Sequence, residues 1–190
     1  MSNPSPSGHL FSLLGSMYLC KPTGEALASW QKLLTEEPLI KAEHLREALD
    51  AIDLDSEREL EDLLWEYTRL FIGPNRLPCP PFESVYTSPQ RLMMQDAYDQ
   101  VRKFYDGIGV EIGSADVMPD HIGAELSFLG IILHNMENEQ DKHSNYANLA
   151  EEFLSDHLRN WVPRFTTDMA KAAETVFYKT LAQITEKVVG

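Results

Sequence analysis

From His9 to Cys20 the residues Leu10, Leu13, Leu14, Met17 and Tyr18 recur at intervals of three and four, the spacing that gathers side chains onto one helical face. Pro22-Thr23-Gly24 interrupts the pattern. Thr23 is placed to cap a second helix carrying Leu27, Trp30, Leu33 and Leu34, and Pro38 ends it. Ile40 to Ile52 predicts a third amphipathic segment. The strongest signal is SERELEDLLWEYTRLF, where Ser56 and Glu59 match the reciprocal capping box. Leu60, Leu63, Leu64, Tyr67, Leu70 and Phe71 then form one apolar stripe, and Gly73-Pro74 stops it.

The second half continues in the same period. Pro89 to Ile108 predicts a helix, and Pro119 opens another through PDHIGAELSFLGIILHNM, with Ile122, Leu126, Leu129 and Leu133 on one face. Asn145 to Trp161 predicts a further helix ending at Pro163. The last runs from Arg164 to Val188, with Phe165, Met169, Val176, Phe177, Leu181 and Ile184. Strand-like alternation is nowhere sustained, and no internal repeat is evident. The pattern predicts an all-α chain: one helical domain over residues 1–190, of about eight helices. Residues 1–8 are expected to be flexible, 73–89 to form a proline-rich connector, and 107–118, with Gly107, Gly109 and Gly113, to form a hinge or link.

Composition narrows the function more than the fold. The chain has 190 residues, 30 acidic against 16 basic, for a net charge of −14. That charge disfavours nucleic acid, which needs a positive face, and favours a cationic ligand drawn in over long range. It also simply keeps a protein soluble. No apolar run approaches the length that spans a bilayer, and MSNPSPSGHL lacks the basic start and apolar middle of a secretory signal, so the cytoplasm is the expected location. Cys20 and Cys79 lack CxxC spacing, so neither a disulfide framework nor a zinc knuckle is expected.

Catalytic motifs are missing. No phosphate-cradling glycine loop, no HExxH and no GxSxG occurs. His121 and Glu125 stand one helical turn apart, but two ligands are too few for a metal and no third is placed. Enzyme readings therefore start weak, and neither a cofactor nor a metal is expected.

Two places are unusual. GPNRLPCPPFESVY, from Gly73 to Tyr86, holds four prolines, which fix their own φ and bias the preceding residues to extended backbone. It presents Leu77, Phe82 and Tyr86 at little entropic cost, either as the wall of a peptide groove or as a rigid loop whose aromatics pack on the core. The other is Pro119-Asp120-His121. Asp120 either complements the dipole of the helix it precedes, or, beside His121 at a groove edge, accepts hydrogen bonds from a cationic ligand.

EYTRLFIGP (Glu66 to Pro74), PPFESVY (Pro80 to Tyr86), MPDHIGAELSFL (Met118 to Leu129) and HLRNWVPRF (His157 to Phe165), in this order, resemble the TorD/DmsD family of redox-enzyme maturation chaperones. The likeness covers roughly Glu66 to the C-terminus and is weaker before it. It implies a cytoplasmic, all-helical chaperone that binds the twin-arginine signal peptide of a molybdopterin-containing oxidoreductase subunit and assists its maturation before export. By motif it transfers peptide contact to Leu77, Phe82, Glu83, Ser84, Tyr86, Asp120 and His121. Asn75 stands where DmsD-type members carry tryptophan, which alters the apolar contact at that end of the groove. The resemblance also implies a monomer or a helix-swapped dimer hinged near Gly107 to Gly113. With it, the groove reading of both unusual places takes precedence. The alternatives are a NarJ-like assembly chaperone for a subunit that is never exported, and a small helical enzyme or nucleotide-dependent switch.

Overall fold

The computed structural model describes residues 7–36, 42–74, 76–111 and 117–190. Pro38, Ile40, Asn75, Gly113 and the first six residues, on which some of these expectations fall, lie outside that set. Within it the chain is all-helical. Helices α1 (Gly8–Leu19), α2 (Gly24–Glu36) and α3 (Glu43–Asp50) come first. Helix α4 (Glu57–Tyr67) widens into a π turn, Thr68–Ile72, before Gly73. Then follow α5 (Glu83–Thr87), α6 (Asp96–Gly107), α7 (Ile122–Asn138), α8 (His143–Phe153), α9 (Arg159–Ala172) and α10 (Val176–Val189).

The early helices start where local chemistry says they should. Ser7 Oγ accepts from Leu10 N–H at 3.3 Å, and Thr23 Oγ1 from Ala26 N–H at 3.2 Å. Ser56 Oγ accepts from Glu59 N–H at 3.4 Å, but the capping box is only half closed. The Glu59 carboxylate reaches back past Ser56 to the N–H of Asp53, at 3.0 Å.

Helices α1 and α7 cross antiparallel with almost nothing between their backbones. A Cβ on Gly15 would lie 2.7 Å from the carbonyl oxygen of Gly123, and one on Gly8 would lie 2.6 Å from that of Gly130. The two helices therefore meet main chain to main chain, and their flanking leucines and aromatics reach past the contact into the core. There Tyr18, fully buried, meets Phe71 and Phe165 edge-on at 5.8 and 5.7 Å. Its hydroxyl pairs with Thr185 Oγ1 at 2.9 Å, and its carbonyl accepts from the Tyr67 hydroxyl at 2.9 Å. Both cysteines are free, Cys20 exposed and Cys79 buried.

Four expected boundaries shift. The proline-rich stretch is not wholly extended, because α5 forms over Glu83–Thr87 as soon as the prolines end. Helix α6 begins at Asp96 rather than Pro89, since Arg91 and Met94 take left-handed φ values of 54° and 57°, which no helix accommodates. Helix α7 begins at Ile122, three residues after Pro119. Pro163 does not end a helix; it lies inside α9. The π turn Leu154–Leu158 lies immediately before α9, one turn ahead of the proline. The break expected there falls instead at Ala173 to Thr175.

The α1–α7 contact predicts a contrast between two glycines. Gly15→Val forces the helices apart and is expected to lower stability by about 1–3 kcal/mol, the usual cost of overpacking. Gly107→Ala, where an added Cβ meets nothing within 4 Å, is expected to be neutral or slightly stabilising. Urea melts of the two variants against the parent check this.

Candidate functional site

The proline-rich connector is strapped to the segment that leads into α7. Ile122 N–H donates to the Pro81 carbonyl and Glu83 N–H to the Asp120 carbonyl, both at 2.9 Å. Between them Phe82 and His121 pair as an antiparallel bridge, with their rings edge-to-face at 5.3 Å. Proline at 80 and 81 holds this strand extended before any partner arrives.

The two polar residues of the PDH sequence cap different helices. Asp120, fully buried, accepts the N–H of Ser84 on Oδ2 at 3.1 Å, so it serves the start of α5 rather than the helix it precedes. His121 is the cap of α7: its Nδ1 accepts from Gly123 N–H at 3.0 Å. An accepting Nδ1 is unprotonated, and burial pushes the His121 pKa down to about 4, so the ring is neutral with its hydrogen on Nε2. Ser84 Oγ in turn accepts from Gln95 N–H at 3.1 Å, which ties the loop at 88–95 to the same strap.

Behind the strap lies a row of buried acids. Glu83 pairs with His157 Nδ1 at 2.8 Å, each almost without exposure. Glu125 accepts from the Trp161 indole N–H at 3.1 Å. Burial, and then the Glu83 charge, push the Glu125 carboxyl well above the usual carboxylate range. One oxygen each of Asp120 and Glu125 has no hydrogen-bond partner. His121 and Glu125, one helical turn apart, are engaged in capping α7 and in the Trp161 indole contact respectively.

In front of the strap is an open groove of about 1570 Å³, between the connector and the loop at 88–95. Leu77, Phe82 and His121 line it, joined by Ile72, Leu92 and Met93. Of the other four expected contact residues, Ser84 and Asp120 are buried behind the wall, Glu83 lies at the floor of a neighbouring cleft, and Tyr86 is nearly covered. The Tyr86 hydroxyl donates to Asp168 at 3.4 Å, and its ring is flanked by the guanidiniums of Arg91 and Arg164 at 5.7 and 5.9 Å. The helical period overlooked Ile72, Leu92, Met93 and Asp168. The consecutive Leu92-Met93-Met94 carried a signal, since three successive residues cannot share one helical face. In the structure Leu92 and Met94 are more than half exposed.

The described helices thus carry a stiff wall along one side of an open, largely apolar groove. Residues 18–167 match the family described as the nitrate reductase delta subunit. Among curated proteins the chain resembles the chaperone protein TorD of Vibrio parahaemolyticus, 28% identical over 152 residues, covering 75% of this chain and 70% of the relative. It also resembles the Tat proofreading chaperone DmsD of Salmonella typhi, 30% identical over 125 residues, and spans 57% of that relative's length. A crystal structure from Archaeoglobus fulgidus, assigned to redox enzyme maturation, superposes with a TM-score of 0.67 at 25% identity over 98% of both chains. The chain belongs to the nitrate reductase delta subunit family and, within it, to the TorD/DmsD redox-enzyme maturation proteins. These named relatives are chaperones, not enzymes.

The raised carboxyl of Glu125 sets a pH dependence. Its folded pKa lies above its unfolded one, so its contribution is fully present below the unfolded value, about 4.3, and is lost as pH rises through the folded value. Glu125→Gln keeps an acceptor for Trp161 and removes the titration. The variant's stability relative to the parent is therefore expected to climb as pH rises above about 4.3, by at most about 1.4 kcal/mol per pH unit. Urea melts from pH 4.5 to 8 measure the difference, and taking it between the two proteins cancels the opposing titration of His121.

Proposed function

We propose that this protein is a cytoplasmic chaperone that binds the twin-arginine signal peptide of a molybdopterin-containing oxidoreductase subunit and holds the subunit back from export until it is mature. The observation that carries this reading is the apolar groove walled by Leu77, Phe82 and His121, in a chain whose relatives are named TorD and DmsD chaperones. A wall already ordered by four prolines and strapped by main-chain hydrogen bonds takes up an apolar peptide with little loss of its own freedom. No described helix is long and apolar enough to cross a membrane, which accords with a chaperone that meets its client before translocation.

The seven expected residues divide by role. Leu77, Phe82 and His121 face the peptide, while Asp120, Ser84 and Glu83 hold the wall in place from behind, and Tyr86 supports Arg91 at its edge. A NarJ-like client that is never exported is the second reading, favoured by the description of the matching family as a nitrate reductase subunit. A twin-arginine leader on the subunit that co-purifies with the protein separates the two.

Titration calorimetry with a synthetic twin-arginine peptide tests the site. Leu77→Asp and Met93→Asp place a charge in the apolar wall, and each is expected to weaken binding at least ten-fold, the loss of about one apolar side chain's burial. Thermal melts of both variants are expected to stay close to the parent. Affinity is also expected to fall partly, not wholly, between 0.05 and 0.5 M salt, since screening removes the charged share and leaves the apolar one. Unchanged affinity in both variants removes the groove from peptide binding.

A further inference from the structure

The groove does not end at its apolar wall. Pro89, Gln90 and Gln95 line both the groove and a second cleft of about 440 Å³, between α5, α6 and the start of α9. The two compartments thus adjoin across a shared lip, and the charge of their linings changes sign from one to the other. The groove holds two guanidiniums, Arg76 and Arg91, against one carboxylate, Asp168. The cleft holds three carboxylates, Glu83, Asp96 and Asp156, against one guanidinium, Arg164. Glu83 is buried at the floor on His157, so the two acids that face solvent are Asp96 and Asp156. Arg164 lies over the Tyr86 ring, as Arg91 does, with a nitrogen donating to the Asn160 carbonyl at 3.2 Å.

Resting on the chaperone reading above, we infer that the signal peptide lies in one direction only: its paired arginines in the cleft against Asp96 and Asp156, and its apolar run along the groove toward Arg76. A peptide with its charge at one end of an apolar run has a single orientation in which both parts meet their complement. Reversed, its arginines would meet Arg76 and Arg91, and its apolar end would have to desolvate Asp96 and Asp156. The shared lip at Pro89 and Gln90 marks the point where the cationic part gives way to the apolar part.

Photo-crosslinking with the full chain tests the direction. Two synthetic peptides are used, each with paired arginines followed by an apolar run, with the crosslinker at the arginine end in one and at the far end in the other. The arginine-end probe is expected to attach around Asp96 and Asp156, and the far-end probe around Arg76 and Leu77. Exchanged attachment sites with affinity intact overturn the direction and leave the chaperone reading standing. Lack of measurable affinity for either peptide overturns both. In a second arm, Asp96→Asn combined with Asp156→Asn is expected to weaken the arginine peptide about five-fold, as for solvent-facing ion pairs. A peptide with both arginines changed to glutamine is expected to bind parent and variant alike. Equal losses for the two peptides overturn the assignment of the cleft to arginines.

Discussion

The hydrogen bonds between the connector and the approach to α7 are the constraint on which the functional surface depends. Pro81 to Ser84 and Asp120 to Ile122 exchange two main-chain bonds and one carboxylate bond, each contributing about 1 kcal/mol net, more for the charged acceptor. So short a pairing would not persist alone, but here it needs little ordering, because prolines have already restricted one side. Everything in front of it follows from this placement. Phe82 and His121 face the groove because they form the bridge, and the loop with Leu92 and Met93 is held by Ser84, itself fixed by Asp120.

The caps divide what the sequence made legible from what it did not. Thr23 and Ser56 cap helices that begin within three residues, so a local reading places those starts correctly, whereas Ser7, the cap of α1, lies in the stretch expected to be flexible. Asp120 caps a helix 36 positions earlier, and the Glu66 carboxylate accepts the N–H groups of Glu174 and Thr175, more than a hundred positions later. Local rules place Asp120 at the start of the helix that follows it, and say nothing of partners for Glu66 so far along the chain. The all-helical class and the apolar stripes were legible because they rest on a periodicity repeated many times. The extent of the groove was not, since Ile72, Leu92, Met93 and Asp168 come from separate elements that only tertiary packing gathers.

The buried acids behind the wall illustrate a related point. Acidic side chains ordinarily stay in water, yet of the 30 in this chain Glu66, Glu83, Asp120 and Glu125 are buried. Glu66 and Asp120 accept main-chain N–H groups at helix starts, Glu83 faces an imidazole and Glu125 an indole N–H. Their net worth to stability is small, because desolvation offsets much of each contact, but removing one partner leaves the other stranded in an apolar interior. Such groups specify one arrangement of α5, α7 and α9 more strictly than leucines would.

The close crossing of α1 and α7 has a consequence for the order in which the molecule assembles. Helix α1 precedes the other described helices, but its glycine face meets α7, and Tyr18 finds its hydroxyl partner in Thr185, 167 positions along the chain. Contacts of such separation close slowly, and a nascent chain that ends before α10 still lacks part of its own core. The groove wall hangs on α7, and α7 on α1, so the wall is not fixed until both helices have been made and have met. Until those partners meet, α1 exposes apolar surface that the finished fold covers.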